Sequence, residues 1–254
     1  MIHALILFFA ALLAGALNSV AGGGSFISFP ALLFVGVPAI GANTTNTAAL
    51  WPGIVASIGA YRRDLSVPAT TLLWLGVVSL AGGLIGAIFL LHTPEAAFRR
   101  LIPYLLAIAT LLFAFSDRIV GSLRATRLRS GNHPGSIALV CGLQLLISAY
   151  GGYFGGGIGI LMLAALGILG MQNIHAMNAL KALLSAVING VATAAFVLAH
   201  DIVWPYALVM AVGAMTGGYF GAFFARKLAP AGVRRFVIVV GAVMATYFFF
   251  KQWT

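Results

Sequence analysis

This 254-residue chain is predicted to be an all-α polytopic membrane protein made of two inverted repeats, each a glycine-interrupted helical hairpin followed by three transmembrane helices. Three observations carry that prediction. The composition is apolar, a set of motifs recurs at a nearly fixed offset, and the basic residues sort to one side only if the second half is inverted.

The chain is 62% apolar and 7% charged, with a mean hydropathy of +1.08. Soluble domains carry about 25% charged residues. Apolar runs of about 18 residues or more, the length a helix needs to cross the hydrocarbon core, recur from end to end. The longest polar stretch, Ser116 to Pro134, leaves little room for a soluble domain. The net charge of +10 comes from 14 Lys and Arg residues, almost all in short loops between apolar runs. That placement is expected of membrane topology and argues against a nucleic-acid partner. Cys141 stands alone, which excludes an intramolecular disulfide and a cysteine-based metal site; it reads as a small apolar side chain. The opening "MIHALILFFAALLAGALNSVAGGG" has the look of a signal peptide but no Lys or Arg before its apolar core. A similar element recurs in mid-chain, so the segment reads as part of the mature structure.

The recurrences define the halves. "DLSVP" (64–68) matches "DIVWP" (201–205), "GGLIGA" (82–87) matches "GGYFGA" (217–222), and "FRRL" (98–101) matches "VRRF" (233–236). "AGGGSFISFPALL" (21–33) pairs with "FGGGIGILMLAAL" (154–166), and "NTAALWPG" (46–53) with "NALKALLS" (178–185); the offset stays between 132 and 137. The expected organisation is therefore a first repeat over 1–115, a linker over 116–134 and a second repeat over 135–254.

Each half opens with a glycine-interrupted run (3–36; 136–170), followed by apolar runs at 39–60, 68–91 and 97–115 and at 173–199, 203–225 and 233–250. If the interrupted run crosses once, the halves are parallel and the basic residues outside the spans split seven to six between the two sides. If it folds back at the glycines, the second half is inverted. Arg62, Arg63, Arg118, Arg124, Arg127, Arg129, Arg226, Lys227, Arg234 and Arg235 then share one side, against Arg99, Arg100 and Lys251 on the other. Ten against three is a positive-inside pattern. It puts the linker in the cytoplasm and both termini outside. The hairpin arms are either half-helices that meet within the bilayer or two tilted full spans.

Paired, glycine-broken segments in inverted repeats point to a secondary transporter with its site at the repeat interface. Irregular backbone survives at membrane depth only where it lines a cavity or is buried in protein. Gly22, Gly23 and Gly24, and likewise Gly155, Gly156 and Gly157, allow turns at positive φ and close approach of a ligand to backbone N–H groups at a helix start. Tight helix packing is the structural alternative, and it is the preferred reading for "GGLIGA" and "GGYFGA". "NTTNT" (43–47) supplies Asn43, Thr44, Asn46 and Thr47; its counterpart supplies Asn178 and Lys181. A lysine within a span costs roughly 2.5–3.5 kcal/mol on insertion scales and is a functional hypothesis by default. Lys181 lies about 9 Å into its run at 1.5 Å per residue, so snorkelling to the interface competes with a site role. Against snorkelling, Asn178, Lys181, Ser185 and Asn189 fall three to four apart on one stripe.

Absences narrow the chemistry. Asp64, Glu95, Asp117 and Asp201, and all five histidines, sit at the ends of apolar runs. No acid or histidine relay of the kind proton pumps use lies within a span, and no metalloprotease ligand cluster is present. No catalytic residues, metal or cofactor are expected. A cationic site without acids suits an anion, with the membrane potential favouring export.

At these residues the chain resembles the TauE/SafE-type sulfite exporter family. The resemblance rests on residues 21–65 ("AGGGSFISFPALL…YRRDL"), 178–208 ("NALKALLSAVING…YAL") and 217–251 ("GGYFGAFFARKL…FFFK"). It implies a small bacterial inner-membrane permease for sulfite, sulfonates or related organosulfur anions, acting by export or facilitated diffusion. The expected partners are that anion and the lipid bilayer. Import of a small organic anion, or a non-transport assembly subunit, remain the alternatives.

Overall fold

The computed structural model describes residues 2–20, 23–61, 67–129, 137–171, 173–225 and 230–251. The described residues form ten α-helices and no strands. In order they are α1 (Ile2–Val20), α2 (Ser25–Phe34), α3 (Ala39–Tyr61), α4 (Ala69–His92), α5 (Glu95–Arg129), α6 (Ile137–Tyr153), α7 (Ile158–Leu169), α8 (Ile174–Leu198), α9 (Trp204–Ala225) and α10 (Pro230–Lys251). Helix is the form a single segment must take in lipid, because it satisfies its backbone N–H and C=O groups internally. This is an all-α polytopic membrane protein.

Ile2–Ser19, Ala69–His92, Glu95–Phe115 and His175–Leu198 are long and apolar enough to cross a bilayer. Their outer faces are apolar as well. On α4, Leu73, Trp74, Val77 and Leu80 are exposed while Leu75, Ser79, Gly82, Gly83 and Gly86 are buried. That pattern is costly in water and natural in hydrocarbon.

The helices match the apolar runs closely, with one difference. α5 continues through the expected linker as far as Arg129. Residues 118–129 contain no proline and several good helix formers, so nothing stops the helix there. The last part of the linker falls in 130–136, outside the described residues.

Both interrupted runs break at their glycines into one long and one short arm. α1 has 19 residues and α6 has 17, about 28 and 26 Å at 1.5 Å per residue, close to the thickness of the hydrocarbon core. α2 has 10 and α7 has 12, about 15 and 18 Å. Each hairpin is thus neither two half-helices nor two full spans.

Glycine seams join the long helices. α1 packs along α9, and α4 along α6. A Cβ on Gly86 would overlap the Ala149 carbonyl, and one on Gly152 would overlap that of Gly83. Across the other seam, Gly217 lies against the Leu12 carbonyl and Gly15 against that of Ala214. "GGLIGA" and "GGYFGA" are therefore packing faces, where small residues let backbones touch.

α3 and α8 cross antiparallel at the centre. Thr44 Oγ1 donates to the carbonyl of Asp201, just past the end of α8, at 2.7 Å, and Trp51 Nε1 donates to the Ala186 carbonyl at 3.0 Å. α3 also packs on α9, and α8 on α4.

Candidate functional site

The two glycine turns and the α3–α8 crossing enclose a cavity of about 80 Å³. A buried water needs roughly 10–15 Å³ of such space, so the cavity holds a handful of waters or one compact ion. Its polar lining is Asn18 and Ser19 from α1, Ser25 from α2, Asn46, Thr47 and Ser57 from α3, and Asn178, Lys181, Ser185 and Asn189 from α8. Gly23, Gly53, Gly155, Gly157 and Gly159 bring backbone to its wall. No acidic residue is among the described residues that line it.

The turns are shaped for this. Gly23, Gly155 and Gly157 have φ of +86°, +80° and +79°, a region that β-carbons disfavour. α2 and α7 start directly after them, and neither start has a side-chain cap. Two helix N-termini, each the positive end of a helix dipole, thus abut one cavity. At α2 the N–H groups of Gly24, Phe26 and Ile27 already donate to Asn18 Oδ1, Gly23 O and Gly24 O.

The hydrogen bonds give the cavity its polarity. Lys181 Nζ donates to Asn178 Oδ1 at 3.0 Å, and Gly24 N donates to Asn18 Oδ1 at 2.8 Å. An ammonium and a backbone N–H only donate, so both amides are oriented by chemistry: the oxygen is engaged and the NH₂ is left. Ser28 Oγ donates to Asn46 Oδ1 at 2.5 Å, leaving that NH₂ as well. Three asparagine NH₂ groups, one ammonium and two helix starts make a wall of donors. Ser185 Oγ donates to Met162 Sδ at 3.7 Å, and Asn189 Nδ2 to the Ser185 carbonyl at 2.8 Å, which holds this stretch of α8.

Of the residues singled out in the sequence, Lys181, Asn178, Ser185, Asn189, Asn46, Thr47, Gly23, Gly155 and Gly157 meet at this cavity. Four do not line it. Asn43 Nδ2 donates to the Tyr153 carbonyl at 2.9 Å, and Thr44 bonds to Asp201, so both tie helices together. Gly24 is right-handed helical, with φ −56°, and its N–H goes to Asn18; glycine is required because a Cβ would meet the Ala14 carbonyl. Gly156 packs against the Phe154 ring. Gly22 lies outside the described residues. The start of α3 is capped from another helix: Glu95, from α5, accepts from Ala39 N at 2.5 Å and Ile40 N at 3.1 Å.

Asn18, Ser19, Ser25, Gly53, Ser57 and Gly159 are cavity residues that sequence reasoning missed. The repeat held the signal for two of them. At the offset of 132 that pairs Asn46 with Asn178, Gly53 pairs with Ser185 and Ser57 with Asn189. Gly159 is set against the Lys181 stem, where a Cβ would come 3.2 Å from Cδ.

A second cavity, of about 850 Å³, opens between the end of α2, the start of α5 and the end of α10. Glu95, Arg99, Arg100 and Lys251 line it. Among the described residues no group of three His, Cys, Asp or Glu side chains is placed to hold a metal ion.

A helical membrane protein with paired broken hairpins around a central polar cavity has the build of a membrane transporter. Comparison with known proteins specifies the class: residues 7–248 match the family described as "Sulfite exporter TauE/SafE", and the chain belongs to that family. It is similar to a "Probable membrane transporter protein" of Haemophilus influenzae, at 26% identity over 97% of this chain and 94% of that one. It is likewise similar to "Probable membrane transporter protein YfcA" of Escherichia coli K12, at 26% identity over 94% and 87% of the two chains. A "Probable membrane transporter protein" of Xylella fastidiosa is 28% identical over 94% and 91%. No solved structure matches the chain. The protein is a membrane transporter of this family and not an enzyme.

Proposed function

We propose that this chain carries a small oxyanion, sulfite or a short sulfonate, out of the cell through the Lys181 cavity. The observation that carries the proposal is the donor-rich wall: Lys181, the NH₂ groups of Asn18, Asn46 and Asn178, and two helix N-termini around a space of about 80 Å³ with no carboxylate among its described lining residues. A unit anion 4 Å from the ammonium gains roughly 4 kcal/mol at an effective dielectric of 20, enough for selective binding. The amides and helix starts would share the oxygens, and the small volume favours one compact anion over a large organic one.

The same proposal includes two inverted repeats in the bacterial inner membrane. Exchanging α1–α5 for α6–α10 turns the α1–α9 pair into α6–α4, and α3–α9 into α8–α4; all four pairs occur. The second cavity supports the inverted arrangement over the parallel one, since it brings Lys251 to the same end as Arg99 and Arg100. Alternating access would then follow from rocking one half against the other around the shared site.

The test is flux from proteoliposomes loaded in turn with sulfite, short sulfonates, phosphate and chloride, with the potential clamped. Selective efflux of the sulfur oxyanions is expected. No flux of any of them above protein-free liposomes would overturn the proposal.

A further inference from the structure

The second cavity, of about 850 Å³ against about 80 Å³ for the central one, is chemically two-sided. Arg99 and Arg100 on α5 and Lys251 at the end of α10 give it three cations, and Glu95 is the one acid among its described lining residues. Both Glu95 oxygens accept from the start of α3, at Ala39 N and Ile40 N. Leu33, Val37, Ile102 and Phe248 supply apolar walls. Helical spacing produces this mixture. Glu95, Arg99 and Ile102 fall at i, i+4 and i+7 on one face of α5, and Phe248 and Lys251 at i and i+3 on α10.

The cavity lies at the ends of the spans. Glu95 opens the apolar span of α5, and Lys251 is the last residue of α10. Aromatic rings gather at the same level. Phe34, at the end of α2, lies 5.3 Å from the Tyr247 ring and 6.1 Å from that of Phe248, and Tyr104 meets Phe249 edge-on at 6.2 Å. Phe34, Tyr104, Tyr247 and Phe249 are all exposed, so this rim faces lipid. Rings and long cations at a span end mark the headgroup region of a bilayer. In the inverted arrangement, Arg99, Arg100 and Lys251 are also the three cations that run against the positive-inside bias, and a shared ligand accounts for their place.

We infer that this cavity is a binding site for the headgroup of an anionic phospholipid. Arg99, Arg100 and Lys251 hold the phosphate, to which arginine donates in bidentate fashion. The glycerol and the first acyl carbons lie on Leu33, Val37, Ile102 and Phe248. Basic pockets between membrane helices hold phosphate headgroups in this way. A free oxyanion fits less well, because it would leave most of the volume unfilled and has no use for an apolar wall. The lipid would also brace α2, whose first residue, Ser25, lines the central cavity and whose Leu33 lines this one. The inference does not depend on which anion the protein carries.

The test is native mass spectrometry of the delipidated protein in detergent, titrated with dioleoyl phosphatidylglycerol or dioleoyl phosphatidylcholine. One phosphatidylglycerol should bind roughly tenfold or more tightly than phosphatidylcholine. Arg99→Gln/Arg100→Gln should abolish that preference and leave the phosphatidylcholine affinity unchanged, as a folded protein requires. Lys251→Gln should weaken the preference roughly fivefold, and this variant decides the matter if the double one does not fold. Arg118→Gln removes the same charge outside the cavity and should leave the preference within about twofold of wild type. Inorganic phosphate at millimolar concentration should not displace the lipid. Equal affinity for the two lipids overturns the site, as does a preference that survives both cavity variants or falls as far in Arg118→Gln as in Lys251→Gln. Displacement by inorganic phosphate would overturn it too, by making the cavity a site for the free oxyanion. Each of these results leaves the transport proposal standing, since sulfite flux tests that separately.

Discussion

Lys181 Nζ lies 3.0 Å from Asn178 Oδ1, one turn back along α8, and no carboxylate among the described residues pairs with it. A lysine in that setting is held by an uncharged acceptor and keeps its charge available to whatever enters the cavity. A buried ion pair would have cancelled the charge.

The first prediction concerns that charge. Lys181→Met keeps the length of the stem and removes roughly 4 kcal/mol of attraction, so sulfite efflux should fall about a thousandfold while the folded yield is unchanged. Lys181→Arg should recover little, because Gly159 packs against the stem and a guanidinium is broader. Gly159→Ala should itself weaken sulfite binding, by pressing a methyl group onto Cδ. Wild-type efflux in the Met variant would show that Lys181 only snorkels.

The glycine seams separate packing from function. Gly86→Ala and Gly217→Ala each drive a Cβ into a neighbouring carbonyl and should cost at least 1–3 kcal/mol, the usual range for overpacking. They should lower the melting temperature by several degrees. Gly76→Ala and Gly142→Ala meet nothing within 4 Å on helices α4 and α6 and should be neutral or stabilising by up to about 1 kcal/mol. Thermal unfolding in detergent of the four variants side by side is the check. Equal melting temperatures would mean that the helices part easily at these seams.

Much of this was legible in the sequence because hydropathy and spacing are local properties. Helix boundaries followed from apolar runs, and the site residues of α8 from one periodic stripe carrying a charge. Contacts distant in the chain were not legible. Asn43 and Thr44 share a motif with Asn46 and Thr47, but a helix turns 100° per residue. The motif therefore spreads over several faces, and only the positions of α6 and Asp201 decide which residues reach the cavity. Asn18 was hidden for a similar reason. Its role depends on the hairpin closing until the amide reaches Gly24 N. The length of α5 beyond Phe115 was misjudged because polar composition indicates exposure to water, and exposure does not end a helix.

Glu95 supplies a third prediction. Its carboxylate caps the start of α3 from the start of α5, through Ala39 N and Ile40 N. Glu95→Ala leaves two helix N–H groups without that acceptor and should cost about 1–2 kcal/mol. Glu95→Gln keeps one acceptor and should cost less. Unfolding midpoints rank the three proteins. Equal midpoints would show that water replaces the cap without loss.

Topology can be read directly in cells. The inverted arrangement expects tags at Met1 and Thr254 outside and a tag between Ser130 and Pro134 inside. Accessibility of each tag to an impermeant reagent reports its side. A linker tag on the same side as both termini would restore the parallel arrangement, in which the basic residues show no bias.

The last prediction concerns the driving force. Among the described residues the cavity wall carries a cation and amide donors but no carboxylate or histidine, so it holds no acid or imidazole relay to carry a proton along with the anion. Export would then draw on the membrane potential alone, worth about 2.3 kcal/mol per charge per 100 mV. An inside-negative voltage should drive sulfite out of vesicles with no pH gradient present. Asp201 is a scaffold residue here. Among the described residues its carbonyl holds the turn by accepting from Thr44 Oγ1, and Val203 N closes it by donating to Thr45 Oγ1 at 2.9 Å. Its counterpart Asp64 lies outside the described residues. Asp201→Asn and Asp64→Asn should therefore leave voltage-driven efflux within about twofold of wild type. Efflux that instead follows an imposed pH gradient at zero voltage, and loses that response in either variant, would make these acids part of a proton path. The potential would then no longer be the only force acting on the anion.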